Sequence, residues 1–149
     1  VDESTGPHTW PGAAESSRAR QLTLAPTARA AGLARRATHE ALASWRMAHL
    51  EETAVLLVSE LVTNVVRHAH TGGSAMVLRL ETAGPWLRIE VHDADPRVPE
   101  PRTPGGLDGS GFGFVLVEAM ADKWGVREAT IGKAIWAELD ARQDGGPGI

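Results

Sequence analysis

Apolar residues recur along this chain with two periods, and the changes between them divide it into elements. Leu57, Leu61 and Val65 stand four residues apart, with Val58 and Val62 beside them, so the spacing predicts a helix over about 50–69. Before it, Ala30, Ala34, Ala37, Ala41 and Trp45 repeat at the same period. They predict a helix from about Thr27, its N-cap, to Trp45. Arg20 to Leu24 alternates and reads as a short edge strand ended by Pro26. The period falls to two in Met76, Leu78, Leu80 and again in Leu87, Ile89, Val91, with Ala83-Gly84-Pro85 between them. That is an antiparallel hairpin with one buried face. Thr71-Gly72-Gly73 ends the helix before it.

From Asp93 to Ser110 no period survives, and the segment is rich in proline and glycine. Long loops of this kind are often lids or binding loops. Phe112, Val115, Leu116, Ala119 and Met120 restore helical spacing over about 111–123. Strands over about 125–130 and 134–139, joined near Gly132-Lys133, complete the pattern. The expected architecture is α+β: a two-layer sandwich whose mixed, mostly antiparallel sheet is covered on one face by helices. Residues 1–17 read as a flexible leader, 18–140 as one domain and 141–149 as a tail.

Composition narrows the function. The chain has 149 residues with 42% hydrophobic and 23% charged, the balance of one globular domain. Fifteen basic against 19 acidic side chains, without a basic cluster, argue against a nucleic-acid binder. The absence of cysteine removes disulfides and thiolate metal sites. No apolar run approaches the ~20 residues that span a bilayer. A cytoplasmic location is expected.

Three pieces carry candidate chemistry. Glu60 and Asn64 are four residues apart, so a carboxylate and a carboxamide share one helix face beside the apolar stripe. A general base and a metal ligand fit that arrangement, and so does a solvated helix face. Asp93 closes a strand, where an aspartate can either read an exocyclic amine or simply form a turn. Ser110-Gly111-Phe112-Gly113 opens a helix. There, unpaired N–H groups and the helix dipole favour a phosphate, although a glycine pair at a helix entry is also ordinary structure. His68 and His70 point to different helix faces, so they are not read as a metal pair.

In this order, ELVTN at 60–64, LRIEVHD at 87–93, SGFGF at 110–114 and GKAIWAEL at 132–139 resemble a known ATP-binding fold. It is the GHKL-type fold shared by DNA gyrase, the ninety-kilodalton heat-shock chaperone, histidine kinases and the MutL repair protein. The short free-standing form is most similar to the anti-sigma-factor serine kinases. The resemblance implies ATP and Mg²⁺ as cofactors. It implies Glu60 as the general base on a protein serine or threonine hydroxyl, and Asn64 as the Mg²⁺ ligand. Asp93 would contact the adenine amine, and Ser110, Gly111, Phe112 and Gly113 would lie along the phosphates beneath a lid at about 96–110.

The chain departs from the family pattern in three places. The expected DxGxG is Asp93-Ala94-Asp95-Pro96-Arg97, an arginine before the Ser-Gly pair is Gly109, and a hydroxyl residue near adenine is Ala134. Two readings of function therefore stand. One is an ATP-dependent serine/threonine protein kinase that binds a sigma-factor-like client and phosphorylates an antagonist protein, with a homodimer possible and no nucleic acid or membrane as partner. The other is a non-catalytic protein of the same fold that sequesters a partner with little or no nucleotide.

Overall fold

The computed structural model describes residues 17–68, 75–94, 112–129 and 131–142. In chain order these form β1 (Arg18–Leu24), α1 (Ala30–Ser44), a 3-10 turn (Ala48–Leu50), α2 (Glu51–His68), β2 (Met76–Ala83) and β3 (Trp86–Asp93). They continue with α3 (Phe112–Met120), β4 (Lys123–Glu128) and β5 (Lys133–Asp140). The leader through residue 16, the turn at 71–73 and the lid at 96–110 lie outside the described residues, as do Ser110, Gly111 and the tail beyond 142.

The strands form one sheet in the order β1-β2-β3-β5-β4. Every neighbouring pair is antiparallel, where a mixed sheet was expected. The connection through α3 explains the difference. β3 and β4 run in the same direction, but β5 lies between them and opposes both. The α+β class with helices against one face holds.

That face is apolar because the strand residues alternate. Met76, Leu78 and Leu80 of β2, Leu87, Ile89 and Val91 of β3, and Ile135, Ala137 and Leu139 of β5 are buried in one cluster. α2 adds Leu57, Val58, Leu61, Val62 and Val65 of its predicted stripe, and Ala54 one turn earlier. α1 packs on α2 and buries Ala30, Ala34 and Ala41.

Thr27 does not act as a side-chain N-cap. The capping position is Arg29, without a side-chain cap bond, and Thr27 instead accepts at Oγ1 from the Arg29 N–H at 3.3 Å in a local turn. Thr38 rather than Ala37 is the fully buried residue of α1's third turn. Its hydroxyl donates to the Ala34 carbonyl at 2.8 Å, which satisfies it without leaving the helix.

The other face of the sheet is polar in sequence yet substantially buried. Glu138 is 0% exposed and Trp136 1%. Arg88 donates to Glu138 at 3.0 Å and to Glu90 at 3.3 Å, and its guanidinium carbon lies 4.5 Å from the Trp136 ring centroid. Arg127 donates to both oxygens of Glu90, and His92 Nε2 lies 2.6 Å from Glu90 Oε1. Strand register builds this cluster, for Glu90 stands opposite Trp136 and Arg88 opposite Glu138. Burial alone would push the Glu90 carboxyl up. Hydrogen bonds from His92 and Arg127 and the positive charges of Arg127 and Arg88 outweigh it and bring the pKa down to about 2.

Candidate nucleotide site

α2 carries the first wall of the site. It packs across β3 and β5, with α3 against its flank and against β4. A cross-helix bond from Arg35 Nη1 of α1 to Ser59 Oγ, at 3.1 Å, ties α2 to its neighbour one residue before Glu60. Asn64 is 6% exposed, whereas Glu60 is half-buried. That ordering follows from solvation. A neutral carboxamide is far cheaper to bury than a carboxylate, so the helix turns Asn64 inward and leaves Glu60 at the margin. A proton acceptor for a hydroxyl on another molecule must be accessible, and a ligand inside a cleft need not be.

The second wall is the end of the sheet. Asp93 is the last residue of β3 and pairs in register with Lys133, the first residue of β5. Both continue the row of Val91 and Ile135, on the face that α2 covers. Lys133 Nζ donates to Asp93 Oδ2 at 3.0 Å, with the lysine side chain 4% exposed and the aspartate 17%. Spacing alone treats Lys133 as part of a turn, but it is a buried cation against the strand-end carboxylate. Its clue in the sequence is a charged residue directly after a turn glycine, visible only once the β3–β5 register is known.

The same register moves Ala134. It pairs with His92 and faces the charged side of the sheet, away from α2. The residue beside Asp93 is therefore Lys133, and Ala134 does not stand in for a hydroxyl there.

Gly132 closes this end of the site. Its φ is +77°, and an added Cβ would lie 1.9 Å from the Asp93 carbonyl oxygen. Glycine is required on both counts. The β4–β5 turn can press on the Asp93 backbone only because no side chain intervenes.

Of the remaining predicted residues, Phe112 and Gly113 form the start of α3, as expected of a helix entry. Ser110 and Gly111 fall outside the described residues. Among the described residues no three His, Asp or Glu side chains converge as a metal cluster. A metal on Asn64 would draw its other ligands from phosphate and water, as Mg²⁺ in phosphate sites commonly does. No helix among the described residues is long and apolar enough to cross a membrane.

Comparison with known proteins gives the chain a family. A family model described as a histidine kinase-like ATPase domain matches residues 24–139. An uncharacterized protein of Streptomyces coelicolor is 35% identical over 83 residues, which are 54% of this chain and 79% of that protein. A solved histidine kinase domain, from the blue-light activated histidine kinase of Erythrobacter litoralis, is 27% identical with a TM-score of 0.47. The match covers 66% of this chain and 48% of that one, so this chain spans about half the length of the solved domain.

Proposed function

This chain belongs to the histidine kinase-like ATPase domain family, and on that premise we propose that it is an ATP- and Mg²⁺-dependent serine/threonine protein kinase of the anti-sigma-factor type. The observation that carries the reading is the placement of Glu60 and Asn64 on a helix that crosses β3, which ends in Asp93, and its neighbour β5. The side chains suit the cofactor: a neutral oxygen donor turned inward for a hard cation, and a carboxylate at the strand end for an amine. Asn64 would hold Mg²⁺, Asp93 would accept from the adenine 6-amine, and the entry to α3 at Phe112 and Gly113 would face the phosphates. Bound Mg²⁺ neutralises charge on the triphosphate. Glu60, at the margin, would take the proton from a serine or threonine hydroxyl of the substrate protein.

In this reading the protein binds a sigma-factor-like client in the cytoplasm, where ATP is available, and phosphorylates an antagonist protein. One observation favours the second reading, a partner-sequestering protein without catalysis. Asp93 is already engaged by Lys133, and the two glycines expected after it are Asp95 and Arg97. Calorimetry with Mg²⁺ and ATP separates the two. Micromolar binding is the expected result, and no detectable binding at millimolar nucleotide would leave only sequestration.

A further inference from the structure

The β4–β5 turn holds Asp93 twice. Gly132 lies against its backbone so closely that a Cβ would meet the Asp93 carbonyl at 1.9 Å, and Lys133 Nζ holds carboxylate Oδ2 at 3.0 Å. The two contacts come from adjacent residues and fix different parts of Asp93. The Lys133 side chain is only 4% exposed, so this contact is shielded from water on the lysine side. The pair sits at the end of the sheet, on the face that carries α2 and hence Asn64.

We propose that Lys133 is a positioning residue that sets base discrimination, holding the Asp93 carboxylate in one orientation so that the site takes a 6-aminopurine and rejects a 6-oxopurine. The inference rests on the reading of Asp93 as the base contact. An ionised carboxylate only accepts hydrogen bonds, so it pairs with a 6-amino group and faces a 6-oxo group acceptor to acceptor. A carboxylate without its cation is free to change rotamer. In another rotamer it can accept from the ring N–H of a 6-oxopurine, and discrimination is lost.

The test compares ATP with inosine triphosphate, which replaces the 6-amine of the base with an oxo group and a ring N–H. Dissociation constants for both, with Mg²⁺, are measured on the full chain. Lys133→Met should lower the preference for ATP by about tenfold or more. Lys133→Arg, which keeps a cation, should restore most of it. Should Lys133→Met not fold, Lys133→Gln carries the same test, because its amide ends short of the Asp93 oxygen and is uncharged. A folded Met or Gln variant with the wild-type preference overturns the role of Lys133 and leaves the nucleotide site standing. A wild-type chain that binds neither nucleotide overturns the site reading itself, and this inference with it.

Discussion

Arg88 Nη1 donates to Glu138 Oε2 at 3.0 Å, and Glu138 has no exposed surface. This pair joins the two central strands on the face of the sheet that carries no described helix. Removing one partner of a buried pair typically costs more than the pair contributes, because the other charge stays in a poorly solvated place. Arg88→Met is therefore expected to lower unfolding free energy by about 3 kcal/mol in urea titration. The double variant Arg88→Met with Glu138→Leu should recover part of that. A single-variant loss below about 1 kcal/mol would mean that the pair is solvated in solution.

Glu90 gives a pH dependence with a definite sign. Its pKa falls from 4.5 to about 2 on folding, so the unfolded chain binds the proton more readily. The stabilisation is fully present above about pH 4.5 and is lost as pH falls through about 2. Glu90→Gln should flatten this acid limb of a stability-versus-pH curve. The same limb in wild type and variant would assign it to other carboxylates.

Gly132→Ala should damage both fold and site. The positive φ disfavours any side chain, and the Cβ would require the Asp93 backbone to move. A loss of at least about 2 kcal/mol is expected in thermal or urea unfolding. Nucleotide affinity should fall together with stability. Gly84 is the control: its φ is +59° but nothing lies within 4 Å of an added Cβ, so Gly84→Ala should cost only the backbone strain, with affinity unchanged.

Glu60 and Asn64 separate by function. Glu60→Ala is expected to keep Mg²⁺–ATP binding and reduce phosphoryl transfer to a protein substrate by about 10²–10⁴-fold. Unchanged transfer removes Glu60 from the role of base.

Asn64→Ala is expected to weaken nucleotide binding by about tenfold with Mg²⁺ present and little in its absence. An equal loss in both conditions points to packing around a side chain that is 6% exposed.

The sequence made the wall formed by α2 legible, because an amphipathic helix carries its own evidence: the period of Leu57, Leu61 and Val65 fixes the face on which Glu60 and Asn64 fall. Asp93 was legible for the same reason, as the end of an alternating strand. Lys133 was not, since its burial depends on a partner 40 residues away and on a strand register that no local pattern specifies. The alternation of Arg88, Glu90 and His92 reads as a solvated face, and the structure buries Glu90 there by pairing it with charges from β3 and β4. Thr27 failed as a cap because its hydroxyl serves a turn before the helix begins.

The sheet order also sets when the site can exist. β5 is the last of the five strands to leave the ribosome, yet it occupies an interior place between β3 and β4. Until it inserts, β3 has an open edge, Asp93 lacks Lys133, and β4 has no strand to pair with. Assembly of the site thus waits on pairing between residues 40 or more apart in sequence, and such long-range pairing is slow to form. A chain cut before residue 133 would be an unfinished sheet with an adhesive edge, rather than a shorter form of the same protein.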